Sequence, residues 1–181
     1  MKDLFNDWVK HESVDETVIL NYQDKIPEEL LESWKIYGFG AFGSNFLRTI
    51  NPDDYIDILE KSYRRHEQAI PIFTTAMGDI LVWEKHKYIN LLNFRKGVVT
   101  VVSSGFEYFF DDLQDIDFMK DELMCQPYHE AIRKYDAPNY DECFGYTPLL
   151  GLGGAEKVEN LKKVKLKEHI LIITDLMGPV S

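Results

Sequence analysis

The chain has 181 residues, 45% apolar, 13% aromatic and 28% charged, with a formal charge of −11 from 31 Asp plus Glu against 20 Lys plus Arg. This composition excludes a disordered, collagen-like or low-complexity chain, and the length predicts a single compact domain, 1–181, with room for a sizeable core. Two cysteines, Cys125 and Cys143, exclude a disulfide-stapled secreted scaffold and fit a reducing compartment.

At the N-terminus, MKDLFNDWVKHESVDETV carries acids where a signal peptide needs an uninterrupted apolar stretch. No run anywhere approaches the ~20 apolar residues of a membrane span, so a cytoplasmic protein is expected. Residues 26–38, IPEELLESWKIYG, predict a helix: Pro27 suits its first position, Glu28 and Glu29 complement its positive end, and Leu30, Leu31, Trp34 and Tyr37 share a face. Gly38 stops it, and the stretch to Gly43 is expected to be a tight loop that tucks Phe39 and Phe42 into the core. Asn51-Pro52-Asp53-Asp54 reads as an N-cap opening a second helix, with Tyr55, Ile56, Leu59 and Tyr63 as its apolar stripe.

The period then changes. Residues 70–75, 80–83, 88–93 and 98–102 are short, rich in Ile, Val, Phe, Tyr and Thr, and separated by turn signals, which predicts an antiparallel meander of at least four strands. Pro71 cannot donate to a ladder, so the first of these is expected at an edge or starting after the proline. Ser104-Gly105-Phe106-Glu107 has the capping-box form, followed by Phe106, Phe109, Phe110 and Leu113 at helical spacing. Another helix is expected from Pro127 to Tyr135, with Tyr128, Ala131, Ile132 and Tyr135 facing inward. Near the C-terminus, Lys162, Lys163, Lys165 and Lys167 would oppose the positive end of a helix, whereas Val164 and Leu166 alternate with them. A strand at about 161–166 therefore precedes a helix from Lys167 that carries Ile170, Ile173 and Met177 on one face and ends at Gly178-Pro179. The class is α+β: an antiparallel β-sheet meander flanked by N- and C-terminal helices, with Trp34 and Trp83 buried.

The chemical motifs are weak. Gly38 to Gly43 matches G-x-G-x-x-G, but a helix precedes it and no helix follows, the reverse of what a dinucleotide site needs. Histidines 11, 66, 86, 129 and 169 show no i, i+4 pair; Cys125 and His129 are four apart with Pro127 between them and lack further donors. Cys143 reads as a buried structural thiol. The pairs Asp53-Asp54, Asp111-Asp112 and Asp141-Glu142 arise readily among 31 acids, and no G-x-S-x-G, P-loop or H-E-x-x-H is present. No catalytic, cofactor-binding or metal-ligating residue is assigned, and an enzyme is not expected.

Charge is unevenly distributed: −4 over 1–106, −8 over 107–142 and +1 over 143–181. Such a segment repels nucleic-acid phosphates and anionic membrane and attracts a cationic protein. Its plain alternative is a solvated acidic face.

Several stretches taken in order resemble a bacterial family. They are Ile26-Pro27-Glu28-Glu29-Leu30-Leu31 with Trp34, Tyr37 and Gly38; the Asn51-Pro52-Asp53-Asp54-Tyr55 cap; and Thr75-Ala76-Met77-Gly78-Asp79 leading to Val82-Trp83. The tail adds Cys143-Phe144-Gly145-Tyr146, Leu152-Gly153-Gly154, Val158-Glu159-Asn160-Leu161 and Gly178-Pro179. The set, spanning roughly residues 15 to 180, resembles proteins with a GAD-like region, here about 15–103, followed by a short C-terminal subdomain, about 104–181. That group includes the immunity proteins of type VI secretion DNase effectors. The helix-Trp-Tyr-Gly pattern is also similar to SUKH-type immunity proteins. The resemblance implies a cytoplasmic protein that neutralises a cognate toxin, without cofactors or chemistry of its own.

Two functions compete on these grounds. In the first, an immunity protein presents an acidic face to a basic nuclease toxin, with Asp111, Asp112, Asp115 and Asp117 as the expected contact residues and neither nucleic acid nor membrane bound directly. In the second, a small-molecule-binding or enzymatic α+β domain uses a concave face near Phe39 to Gly43. A deep apolar pocket of ~300 Å³ or more with convergent polar groups would favour the second.

Overall fold

In the computed structural model, which describes residues 4–181, seven antiparallel strands form one sheet in chain order. They are β1 (Val9–Glu12), β2 (Phe39–Phe42), β3 (Leu47–Thr49), β4 (Ala69–Thr75), β5 (Ile80–Glu84), β6 (Tyr88–Asn93) and β7 (Val98–Ser104). The first three positions of the acid-containing N-terminal stretch lie outside the described residues. The last four strands are the expected meander. The first three extend it, so the glycine-rich stretch after Gly38 is a strand that pairs Gly40 with Thr49 and Phe42 with Leu47. Phe39 and Phe42 are buried as expected, in a strand.

Strand β5 shows why the sheet lies at the centre. Its side chains point alternately to the two faces, and both faces are covered. Leu81 and Trp83 join a core on one side with Trp34, Phe42, Phe73 and Phe109. Ile80 and Val82 join a second core on the other with Tyr55, Leu59, Leu166 and Ile170. Helices α1 (Glu16–Tyr22), α2 (Glu28–Tyr37), α4 (Phe109–Asp112), α5 (Ile116–Asp121) and α6 (Gln126–Ala131) supply the first core; α3 (Ile56–Ser62) and α7 (Leu166–Met177) supply the second. The molecule is mixed α+β, a central antiparallel sheet between two helical layers. Trp34 is 1% exposed and Trp83 8%, as their place in the pattern requires.

Several local expectations are corrected. Pro71 lies in β4, an interior strand between β3 and β5; it is tolerated because the register shifts between Pro71 and Phe73, a bulge that spares the missing N–H. Pro27 stands one residue before α2 rather than inside it. Asn51 caps a short 3-10 turn, Pro52–Asp54, by accepting from the Asp53 N–H at 3.2 Å; α3 follows from Ile56, whose side chain is exposed while Ile58 faces the core. The capping box at Ser104 does not form: Ser104 ends β7, and α4 starts at Phe109 without a side-chain cap, although Phe106, Phe109, Phe110 and Leu113 are all buried. Tyr135, expected to face inward, is exposed, as is Met177, expected on one face with the buried Ile170 and Ile173.

The C-terminal part is clamped to the sheet through β8 (Glu142–Tyr146), which pairs with β9 (Leu161–Lys165) in a separate two-stranded ladder. Phe144 N–H donates to the Ala76 carbonyl at 2.7 Å, next to the β4–β5 turn. Buried Arg48 on β3 donates through Nη1 to the Glu142 carbonyl and through Nη2 to the Pro138 carbonyl at 3.4 Å, and Tyr140 donates to the Thr49 carbonyl. A guanidinium held among carbonyls loses solvation, and burial lowers its pKa. The chain closes on α3, where the Val180 N–H donates to Ser62 and its carbonyl accepts from Arg64.

Candidate functional site

The acidic segment is anchored in the core by Phe106, Phe109, Phe110 and Leu113. Phe106 meets Trp83 at 6.4 Å between ring centroids, Phe109 meets Phe73 at 5.9 Å, and Phe110 meets Phe5 at 5.6 Å. Following these anchors, Asp111, Asp115 and Asp117 are exposed and Asp112 is half-buried, on α4, the following turn and the start of α5. Two large apolar side chains stand among them, Tyr108 and Ile116, each 65% exposed. Sequence reasoning missed both, since neither breaks a pattern; only their solvent exposure marks them. The four aspartates are also not equivalent. Asp115 caps α5, its Oδ1 accepting from the Asp117 N–H at 2.8 Å and the Phe118 N–H at 3.4 Å, a role that contributes roughly 1 kcal/mol to a helix.

The paired acids of the sequence are dispersed to surface roles: Asp53 accepts from the Tyr22 hydroxyl at 2.5 Å, and Asp141 pairs with Lys165 at 2.6 Å. The buried carboxylates are Glu84 and Asp79, each at the edge of a turn. Glu84 accepts from the Tyr63 hydroxyl, from Asn90 Nδ2 at 2.8 Å and from Arg65 Nε at 3.1 Å. Cys125 Sγ and His129 Nδ1 do meet, at 3.7 Å, because Cys125 occupies the position just before α6. Among the described residues no group of three or more His, Cys, Asp or Glu could hold a metal ion.

Asp79 belongs to a second constellation, built where β8 meets the β4–β5 turn. Its Oδ2 accepts from Arg95 Nη2 at 3.1 Å, both groups being buried. Burial raises the Asp79 carboxyl pKa, against the opposing pull of Arg95. Among the described residues Asp79 Oδ1 and Arg95 Nε and Nη1 have no hydrogen-bond partner; a buried polar group left so costs about 1–3 kcal/mol. Close approach explains two glycines nearby: a Cβ on Gly145 would lie 2.5 Å from the His169 ring, and one on Gly78 would lie 3.1 Å from Cys143 Sγ. Burial holds the His169 imidazole below its ordinary 6.5 and pushes the Cys143 thiol up to about 12, so both are neutral near pH 7.

Two clefts open beside this cluster. One, about 350 Å³, has walls of Phe94, Leu149, Leu150, Ile173 and Met177, with Arg95, His169 and Tyr146 as its polar groups. The other, about 790 Å³, is broader and carries Lys96, Lys120, Arg133, Lys134 and Lys157 against Glu130, Glu156 and Glu159. Neither lies at Phe39 to Gly43, where the sequence placed a concave face; a smaller cavity there, about 260 Å³, is lined by Ala41, His11, Asn45, Arg48 and Tyr140. Gly38 and Gly40 there are packed against the β1 carbonyls of Glu12 and Val9.

Comparison with known proteins adds three findings. Residues 2–94 match the model of the GAD-like domain, and residues 103–177 match that of the C-terminal domain of the T6SS immunity protein Tdi1. The crystal structure of Atu4351 from Agrobacterium tumefaciens is similar with a TM-score of 0.76 at 19% identity, over 97% of this chain and 88% of that one, a likeness of fold. No curated protein matches the chain. Among the described residues no helix is long and apolar enough to cross a membrane.

Proposed function

We infer, from the premise that this chain belongs to the GAD-like family of type VI secretion immunity proteins, that it binds a cognate secreted toxin in the cytoplasm and blocks it without chemistry of its own. The toxin on this reading is a basic nuclease, because a protein that grips phosphates presents a cationic cleft that an acidic face can occupy. The observation that supports the reading is the acidic 107–142 segment, of charge −8, in which Asp111, Asp112 and Asp117 stand on short helices α4 and α5 beside phenylalanines fixed in the core. Tyr108 and Ile116 give that face apolar contact points; Asp111, Asp112 and Asp117 supply steering and specificity, and Asp115 adds charge while holding α5. The GAD-like region and the C-terminal part act as one body on this view, since Arg48 and Tyr140 tie them together.

The test is protection in cells that produce a cognate type VI secretion effector. Co-production of the wild-type protein should restore growth. Tyr108→Ala combined with Ile116→Ala should lose most of that protection at unchanged protein level. Absence of protection by the wild type would refute the reading.

A further inference from the structure

The two clefts adjoin and form one two-part depression about a shared rim, since Lys96, Tyr146 and Glu156 line both. Its two ends differ in chemistry. The smaller end is walled by aliphatic side chains of α7 and of the 147–152 stretch, and Met177 on its wall is 51% exposed. The larger end carries five cations against three acids in a chain of net charge −11. Lys96 and Lys134 are paired there, with Glu156 and Glu159, whereas Arg133 and Lys157 make no ion pair among the described residues.

Arg95 stands at the junction. It lines the apolar end, while its Nη2 reaches the carbonyl of Met124, which lines the cationic end, at 3.4 Å. Asp79 takes Nη2 as well, and among the described residues Nε and Nη1 make no hydrogen bond, with the Tyr146 hydroxyl lying beside the guanidinium. A guanidinium has no acceptor capacity, and a carboxylate fits its fork through two parallel N–H···O bonds while leaving room for an aliphatic tail. Tyr146, whose hydroxyl pKa burial raises to about 12, lines the same junction as a neutral phenol.

We propose that this depression is a binding site for an amphipathic monoanion, a small carboxylic acid whose aliphatic tail fills the cleft beside Met177 and whose carboxylate is held at Arg95. The geometry meets the general form of a small-molecule site, a concave apolar wall with a few convergent polar groups. The cationic end draws the anion in, and the tail's length selects among acids. The site needs no toxin, so it stands or falls separately from the immunity reading.

Octanoate is the direct probe, with octanol as the tail without the charge and acetate as the charge without the tail. Titration calorimetry on the full chain should give saturable one-to-one binding of octanoate, with octanol and acetate at least tenfold weaker. Arg95→Gln removes the proposed carboxylate partner, but Arg95 is buried and its loss can unfold the chain. Met177→Glu is therefore the second variant, placing a like charge on an exposed wall position; it should keep the thermal midpoint and weaken octanoate at least tenfold. Octanol binding as tightly as octanoate would overturn the proposal by showing a greasy surface alone. Equal octanoate affinity in Met177→Glu, or no saturable heat up to millimolar octanoate, would also overturn it.

Discussion

His169 sits on Gly145 with its ring largely removed from water, and burial keeps it neutral below the pH at which a free imidazole would charge. The unfolded chain takes up that proton first, at about pH 6.5. Stability from this group is therefore complete above that pH and is lost as the pH falls below it, toward the lowered folded value. Urea midpoints measured between about pH 7.5 and pH 5.5 should fall with acidification, and His169→Gln should give a shallower fall; parallel curves would contradict the assignment. Burial lowers His129 as well, so some slope is expected to persist in that variant. Trp34, on the buried stripe of α2 and 1% exposed, is the other sensitive position. Trp34→Ala should cost about 3–5 kcal/mol, read as a shift in urea midpoint at constant slope. Trp34 was legible from helical spacing alone. The Asp79–Arg95 pair was not: Gly78-Asp79 and Arg95-Lys96 each read as turns, and only the approach of β8 buries them together.

Among the elements, legibility followed the physics of each signal. The β4–β7 meander was readable because four β-branched or aromatic runs are separated by turn residues. β2 and β8 escaped because each contains glycine and is buried on both faces, which erases the alternation that marks a half-buried strand. β3 is three residues long and carries Arg48 inward, contrary to any hydrophobic pattern. The acidic segment was legible as charge, but the exposure of Tyr108 and Ile116 depends on tertiary anchoring by the neighbouring phenylalanines. The two edges of the sheet also contrast. Both carry a bulge, but β1, VKHE, is short and charged, whereas β7, VVTVVSS, is longer and uncharged, with Val98 and Val101 exposed. An edge of that kind templates association. Val101→Lys should lower the concentration-dependent light scattering that accompanies thermal unfolding while leaving the urea midpoint within about 0.5 kcal/mol of wild type; unchanged scattering would show that β7 is not the associating edge.

Across the whole molecule, net charge sets encounter and the core sets persistence. The field of a chain at −11 is concentrated in 107–142, while the 143–181 stretch is at +1, so attraction for a basic partner has a direction. Exposed aspartates contribute little to folding, and their effect is confined to association so long as the α5 cap is spared. The central claim, that this face receives a basic toxin, is tested most directly by association kinetics between the full chain and its cognate type VI effector, over a range of salt. Asp111→Lys, Asp112→Lys and Asp117→Lys together, with Asp115 kept, should slow association at least tenfold at low salt, and the difference should shrink as the Debye length falls to ~3 Å near 1 M. An association rate equal to wild type at every salt concentration, with the fold intact, would contradict the claim and assign the acidity to solubility.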